Sequence, residues 1–323
     1  MQNVLPVRRS LFVCAACLVC GALQAQDYPT RPVRVLVPYT PGGITDLVTR
    51  ITAVELAKSF GQTFVVDNRP GANSILAVDM VSKATPDGYT LGTVIAAHAA
   101  NQTLYAKLPY DSVKSFEHVS LLATSPLIVC ATNSLPATTI KDLIELAKAK
   151  PGQLTFASSG IGAAAHLGME YFMIVTGTKM VHAPYKGTAP ALQDLIGGQI
   201  NFMMDTPSSM LPHVRAGKIK ALGMTSEKRV SVAPDIPTLN EGGVPVVGGT
   251  WVALLAPAGT PKAIVDKLSR AAGEAMRRTE IKERFVQLGI EPVGSTSPEL
   301  TAFLKNEVAK WSKVIKEANV KID

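Results

Sequence analysis

Cysteine is scarce in this chain, and its distribution excludes two kinds of site. Four cysteines occur in 323 residues, and three of them lie within the first 25 residues, at Cys14, Cys17 and Cys20. If that leader is removed, Cys130 stands alone, so that an intrachain disulfide is impossible and a cysteine-based metal site lacks its ligands. Cys130 lies in the apolar run 127–131, which indicates a buried strand residue rather than a nucleophile.

Charged residues are absent from positions 10–23, directly after the basic pair Arg8 and Arg9. The small residue Ala25 follows this apolar run at a suitable distance for cleavage. This layout is that of a secretory signal peptide, so we predict that residues 1–25 are removed, that the mature chain begins at Gln26, and that the protein is exported to the periplasm. The alternative is an uncleaved membrane anchor, for which the apolar run is short.

Strong charge imbalance is also lacking. The chain has 32 basic and 25 acidic residues, a formal net charge of +7, and two of the positive charges belong to the leader. No run of lysine or arginine is long enough to indicate a nucleic-acid partner. A mild positive field of this kind favours the collection of small anions.

Motifs for catalysis and for metal binding are missing. The five histidines are scattered without an H-E-x-x-H or another metal-ligand spacing, and no G-x-S-x-G occurs, because Ser158 and Ser159 precede the glycines instead of lying between them. The segment 160–165 does satisfy G-x-G-x-x-A, but residues 180–184 carry no acidic residue for a ribose, which argues against a dinucleotide-binding enzyme. We therefore predict no catalytic residue, no metal and no cofactor.

Short β-branched runs alternate with helical patterns along the rest of the chain. Helices are predicted at 44–60, 73–84 and 163–176, among others, and a long amphipathic helix is predicted at 298–318. Such alternation is typical of α/β proteins with mostly parallel sheets. We predict two lobes, each a mostly parallel sheet flanked by helices, with residues 26–125 and 249–323 in lobe 1 and residues 126–248 in lobe 2.

Two glycine-rich turns have the same construction. The first turn (residues 38–43) joins a strand at 33–37 to the helix 44–60, and the second turn (residues 158–162) joins a strand at 154–157 to the helix 163–176. Glycine lets the backbone approach a ligand closely, and the free N–H groups at a helix N-terminus favour an anion. One such turn in each half of an exported chain predicts two jaws that close on a carboxylate.

Several other side chains near these turns are candidates, each with a structural alternative. Asp46 either contacts ligand or water, or only complements its helix dipole. Asp205 could hold a ligand amine, a water or a neighbouring turn, His166 could face the cleft or pack between the lobes, and His98 follows a strand at a position compatible with the cleft. Tyr39 belongs either to the core or to an aromatic wall of the site.

The motifs, taken in order, resemble one family. They include 28–32 (Y-P-T-R-P), 37–46 (V-P-Y-T-P-G-G-I-T-D), 68–72 (N-R-P-G-A), 86–91 (P-D-G-Y-T-L), 159–162 (S-G-I-G), 184–187 (P-Y-K-G) and 194–199 (D-L-I-G-G-Q). Over nearly the whole mature chain the sequence resembles the Bug family, the TctC-type periplasmic solute receptors of tripartite tricarboxylate transporters. Thr40 departs from the proline that is frequent there, which bears on ligand identity.

The resemblance implies a type II-like periplasmic binding protein with its ligand cleft between the lobes. It also implies a carboxylate held between the two turns. Together with the candidates above, the predicted ligand-binding residues are Tyr39, Thr40, Pro41, Gly42, Gly43, Asp46, His98, Ser158, Gly160, Ile161, Gly162, His166 and Asp205. The implied partners are a small carboxylate solute (a di- or tricarboxylate, an acidic amino acid or an aromatic carboxylate) and the membrane subunits of a tripartite tricarboxylate-type transporter, with the receptor a monomer. The alternative function is that of a ligand sensor for a membrane signalling partner.

Overall fold

Two separate β-sheets organise the chain, as seen in a computed structural model that describes residues 28–185 and 187–320. The predicted signal peptide and Lys186 lie outside the described residues. The strands are β1 (Val33–Val37), β2 (Phe64–Asn68), β3 (Thr90–Val94), β4 (Phe116–Pro126), β5 (Ile128–Thr132), β6 (Thr155–Ser158), β7 (Val181–Pro184), β8 (Phe202–Asp205), β9 (Ile219–Met224), β10 (Gly249–Pro257) and β11 (Glu291–Pro292). The helices are α1 (Ile44–Phe60), α2 (Ile75–Ser82), α3 (Ala96–Leu104), α4 (Ile140–Ala149), α5 (Ala164–Thr176), α6 (Thr188–Ile196), α7 (Pro207–Arg215), α8 (Lys262–Arg277), α9 (Thr279–Gln287) and α10 (Ser297–Glu317).

The two sheets define two lobes. The first lobe contains a six-stranded sheet in the order β11-β4-β10-β3-β1-β2, and the second contains a five-stranded sheet in the order β7-β6-β8-β5-β9. Strand β1 is apolar on both faces, with Val33, Val35, Leu36 and Val37 all buried, because helices cover both sides of its sheet.

Both sheets are mixed, where the sequence pattern predicted mostly parallel ones. The pairs β1–β2, β1–β3, β6–β7 and β6–β8 are parallel. The antiparallel strands include those that carry the chain between the lobes. In the first lobe β10 pairs antiparallel with β3 and β4, and β11 with β4; in the second lobe β5 pairs antiparallel with β8 and β9. The parallel part of each sheet is therefore the part that ends in a glycine-rich turn.

The two crossings between the lobes lie side by side. Thr225 ties them together, because its backbone N–H donates to Leu127 O at 2.9 Å and its carbonyl accepts from Gly248 N at 3.0 Å. Gly249 leaves no room for a side chain, since a Cβ there would lie 2.0 Å from Ser125 O. Our division of the chain at residues 125/126 and 248/249 stays a prediction; these positions fall at the end of β4 and the start of β10.

Helix α10 joins the lobes from one side. It begins with a capping box in which Thr296 and Glu299 satisfy each other's backbone N–H, and it packs on α3 and β4 before its last turns reach α5. Buried Glu307 accepts the indole N–H of Trp251 at 2.8 Å and that of Trp311 at 2.9 Å. Among the described helices none has the length and apolar character needed to cross a bilayer.

Candidate functional site

The two glycine-rich turns lie at the carboxyl ends of β1 and β6, where ligands bind in α/β sheets. The predicted helix at 44–60 is observed as Ile44–Phe60, and that at 163–176 as Ala164–Thr176. Both helices follow their turn directly. Neither N-cap, Gly43 for α1 and Ala163 for α5, offers a side-chain cap.

In the first turn, Asp46 holds the backbone instead of facing outward. Its Oδ2 accepts the N–H of Gly42 at 3.0 Å and Nε of Arg50 at 3.0 Å, and its Oδ1 accepts Nδ2 of Asn68 at 2.9 Å. Asn68 Nδ2 also donates to Tyr39 O at 2.9 Å. Burial acts to raise the pKa of Asp46, but the hydrogen bonds from Arg50, Asn68 and Gly42 outweigh it and lower that pKa. Asp46 is thus an ionised residue that shapes the turn.

The first N–H groups of α1 have no hydrogen-bond acceptor among the described residues. The first N–H groups of an α-helix have no partner within the helix, and no bond from Ile44, Thr45 or Asp46 N–H to another described residue replaces it. A Cβ built at Gly42 or at Gly43 would meet no atom within 4 Å. The first turn therefore presents uncapped donors and the positive end of α1 to a ligand.

In the second turn, His166 has the role that Asp46 has in the first. Its Nδ1 accepts the N–H of Gly162 at 3.1 Å, four residues earlier. An accepting Nδ1 leaves the ring proton on Nε2, which lies 3.3 Å from Oε1 of Glu170. Each turn is therefore tied by the side chain four residues after its glycine. That side chain in turn contacts a residue four positions further on, Arg50 for Asp46 and Glu170 for His166.

His182, which was not among the residues predicted from the sequence, holds the start of the second turn. Nε2 of His182 lies 2.7 Å from Oγ of Ser158, which also accepts the N–H of Gly160 at 3.2 Å. The ring of His182 stacks on that of His166 with centroids 3.9 Å apart. Burial and then the neighbouring His166 lower the pKa of His182 to about 3. The parallel pairing of β6 with β7 aligns His182 with Phe156. A correct prediction of that pairing would have identified His182 as a neighbour of the second turn.

The Ser158–His182 pair is not arranged as a nucleophile. Ser158 has 0% exposure, and its hydroxyl is engaged with Gly160 as well as with the imidazole. Within residues 28–185 and 187–320, no carboxylate hydrogen-bonds to His182, so the third member of a triad is missing there.

The second turn touches the first lobe. A Cβ at Gly162, whose φ is +78°, would lie 2.5 Å from Cδ1 of Leu104 and 2.9 Å from Nδ2 of Asn73. Asn73 and Asn101 are paired by their amides, since Asn73 Nδ2 donates to Asn101 Oδ1 and Asn101 Nδ2 donates to Asn73 O, each at 2.8 Å. The second turn therefore lies against the part of the first lobe formed by the segment after β2 and the end of α3.

Asn73 is a further residue that the sequence analysis missed, because it was assigned to the start of a helix at 73–84. The helix begins at Ile75, and the three residues before it have left-handed backbones with φ of 46°, 49° and 75°. Non-glycine residues in that region cost about 1–3 kcal/mol each and cluster at functional sites. The strained segment faces the second turn, which makes Asn73 a candidate ligand contact.

Asp205 lies at the same edge of the second sheet as the second turn. Its Oδ1 accepts Thr206 N at 2.7 Å and its Oδ2 accepts Thr188 Oγ1 at 2.8 Å. Burial raises its pKa, against the opposing effect of these hydrogen bonds. The structure therefore places Asp205 beside the second turn, at the neighbouring strand end.

His98 does not lie at the cleft position expected from the sequence. It has 0% exposure, its Nε2 lies 2.8 Å from Ser112 O, and its ring packs between Tyr110 and Phe116. Burial lowers its pKa to about 4. His98 lies in the first turn of α3, and its side chain points into the core of the first lobe, away from solvent.

The other predicted residues divide by exposure. Thr40, Pro41, Gly42 and Gly43 are exposed, Tyr39, Gly160 and Ile161 are half-buried, and Ser158 and Gly162 are buried. Burial raises the pKa of Tyr39, so its phenol stays neutral. In the part of the chain that the structure describes, no three metal-ligating side chains come together.

Comparison with known proteins gives a consistent result. A family model described as tripartite tricarboxylate transporter family receptor (TctC) matches residues 48–320. The structure of the periplasmic binding protein BugD is 36% identical with a TM-score of 0.83, covering 91% of this chain and 99% of BugD. Rpa4515 of R. palustris with adipate is 35% identical with a TM-score of 0.87, covering 91% of this chain and 99% of Rpa4515. MatC (Rpa3494) from Rhodopseudomonas palustris with bound malate is 33% identical with a TM-score of 0.82, covering 89% of this chain and 100% of MatC. The likeness to BugD confirms the predicted two-lobed periplasmic binding protein fold.

Proposed function

Because the chain belongs to the tripartite tricarboxylate transporter receptor family, a family of periplasmic solute-binding proteins and not of enzymes, we propose that it captures a small carboxylate solute between its two turns. The proposal extends to the predicted role in transport: the receptor is a monomer, is exported after removal of residues 1–25, and delivers its solute to the membrane subunits of a tripartite tricarboxylate-type transporter.

The observation that carries the proposal is the pair of uncapped helix N-termini, one in each lobe. Helices α1 and α5 both begin without a side-chain cap, and both lie at the carboxyl end of a parallel strand. Backbone N–H groups can bind a carboxylate without a buried counter-charge, and each charge-assisted hydrogen bond contributes roughly 1.5–3 kcal/mol. Few such bonds suffice for capture and still permit release.

The glycine N–H groups act differently from what the turn motif alone suggests. Those of Gly42 and Gly162 are taken by Asp46 and His166, so that the donors left for the solute are the first N–H groups of each helix. We assign Asp46 and His166 to the site as residues that position these donors. Gly43, Ile161 and Asn73 are then the residues that border the solute.

Dicarboxylates are the solutes to test first. Adipate and malate accompany two of the similar structures, and one of their carboxylates would occupy the turns while the other faces the edge at Thr188 and Thr206. Asp205 lies at that edge. Its carboxylate would repel the second carboxylate of the ligand unless a proton or a hydroxyl group lies between the two. Short dicarboxylates with a hydroxyl near the second carboxylate are therefore favoured over rigid aromatic ones.

A thermal-shift screen tests the proposal. Adipate, malate, citrate, aspartate and terephthalate are compared with 1,6-hexanediol, which has the length of adipate without its charge. A true ligand at 100 times its Kd stabilises the native state by about 2.7 kcal/mol, which raises the melting temperature by several degrees. Stabilisation by no carboxylate, or equal stabilisation by the diol, would contradict the proposal.

A further inference from the structure

A cavity lies beside the crossings between the lobes and extends to the start of α5. It has a volume of about 300 Å³, at the lower end of the range for small-molecule sites. It lies between α5, α10 and the segment 245–249, and its walls are mainly apolar, with contributions from Tyr171, Met204, Val246, Val247, Trp311 and Val314. None of residues 38–43 and 158–162 lines it, but Ala164, the first residue of α5, does, so the cavity adjoins the proposed cleft site at the start of that helix.

Two lysines lie at the mouth of this cavity, and each is paired with an acid. Lys310 and Lys313 line it together with a single acid, Glu317, and their side chains are 42% and 76% exposed. Nζ of Lys310 lies 4.7 Å from the centre of the Trp311 ring and 3.4 Å from Glu307 Oε1. The other oxygen of Glu307 accepts two indole N–H groups, and Nζ of Lys313 lies 3.8 Å from Glu317 Oε1. Ion pairs between exposed side chains are weak, so both ammonium groups keep N–H donors for the anion of a ligand.

An apolar interior with ammonium groups at its mouth suits one chemical class. Lysine side chains keep their heads in water while their stems cover apolar surface, so the carboxylate of an amphipathic ligand would meet them at the mouth while its hydrocarbon enters. The half-exposed Val247, at 43% exposure, marks an apolar wall that such a chain would cover. A dicarboxylate fits poorly, because its second charge would enter the apolar interior unpaired.

We propose that this cavity is a second ligand site, selective for amphipathic monocarboxylates such as medium-chain fatty acids. Its walls come from α5 of the second lobe, from α10 on the first lobe and from the crossing segment that joins them. A ligand there contacts elements of both lobes, including Ala164 at the start of α5. Its binding is therefore coupled to that of the cleft solute, and the coupling is reciprocal.

The test uses octanoate, below its micellar concentration, in isothermal titration calorimetry. We expect one molecule bound per chain, and binding of 1-octanol at least tenfold weaker because it lacks the charge. Lys313→Glu reverses a charge at the mouth and Val247→Glu adds a negative one, and each should weaken octanoate binding at least tenfold. Lys316→Glu, an exposed lysine on the same helix that does not line the cavity, is the matched control and should change the Kd less than twofold.

Two outcomes overturn the proposal. If octanoate does not bind, or if Lys313→Glu and Lys316→Glu have equal effects, the cavity is not a monocarboxylate site. If octanoate binding is lost in Gly42→Val but retained in Lys313→Glu, octanoate occupies the cleft instead. The cleft proposal is judged separately, because Lys313→Glu should leave dicarboxylate binding in the absence of octanoate unchanged.

Discussion

The hydrogen bonds of Asp46 make a sharp prediction about the first turn. The carboxylate accepts from Gly42, Arg50 and Asn68, two of them on Oδ2 and one on Oδ1. In Asp46→Asn, the amide keeps one oxygen. If that oxygen faces Gly42 N–H and Arg50 Nε, the new NH₂ group confronts the NH₂ group of Asn68 and Nη2 of Arg50. If it turns round, Gly42 N–H and Arg50 Nε lose their acceptor.

At least one charge-assisted hydrogen bond is lost in either orientation, which is worth about 1.5–3 kcal/mol. We expect the free energy of unfolding to fall by roughly that amount. Because the Gly42 N–H holds the turn in the shape that presents the helix N-terminus, we also expect the affinity for the carboxylate solute to fall at least tenfold, or about 1.4 kcal/mol.

The assays are urea denaturation and calorimetry with the dicarboxylate found by screening. Asp266→Asn is the matched control, because Asp266 also pairs with a basic residue four positions away, Lys262, but on the exposed surface of α8. It should change the free energy of unfolding by less than about 1 kcal/mol and the affinity not at all. An Asp46→Asn variant that binds as the wild type does would refute the positioning role of Asp46.

Three further predictions follow from the site and the leader. Gly162→Ala should lower solute affinity, because the new Cβ would collide with Leu104 and Asn73. Gly177, at the other end of α5, has a similar positive φ and an open environment, so Gly177→Ala should lower only the free energy of unfolding, by about 1–2 kcal/mol. Equal solute affinities in the two variants would contradict the contact between the second turn and the first lobe. The free energy of unfolding should decline as the pH falls from about 6.5 towards 3. In that range His182 takes up a proton in the unfolded chain but not in the folded protein, where its pKa is about 3. His182→Gln should flatten this pH dependence in urea titrations, and an unchanged dependence of the free energy of unfolding on pH would argue against a neutral, buried His182. Mass analysis of protein from the periplasm should give a chain that begins at Gln26 or its cyclised form, and retention of residues 1–25 would overturn the export prediction.

The elements that border the site could be predicted because local chemistry determines them. Helix α1 begins at Ile44 and ends at Phe60, as expected from the glycines on either side of it, and Gly61 ends it with a φ of 67°. The lobes and the strand–turn–helix units follow from the same kind of signal. The family assignment, which is confirmed, rests on motifs that follow one another in a fixed order along the chain.

Other features depend on contacts between distant residues, and the sequence did not reveal them. The direction of β4, β5 and β10 is set by how the chain crosses between the lobes. The pattern of apolar residues along a strand does not indicate that direction. The pairing of His182 with Ser158 depends on the register of β6 and β7, and His98 turns into the core because Tyr110 and Phe116 pack around it. The left-handed residues before α2 are held by the Asn73–Asn101 pair, 28 residues apart in the chain.

A double-mutant cycle on the two turns tests the central claim that both hold one carboxylate. Gly42 and Gly160 have φ values of +95° and +144°, which valine does not tolerate, and a β-branched side chain would also crowd the anion. With calorimetry on folded variants, Gly42→Val and Gly160→Val should each weaken binding of the dicarboxylate at least tenfold, and the double variant should lose less than the sum because the first change already destroys the shared site. Wild-type affinity in either folded single variant, or losses that add in full, would contradict the claim.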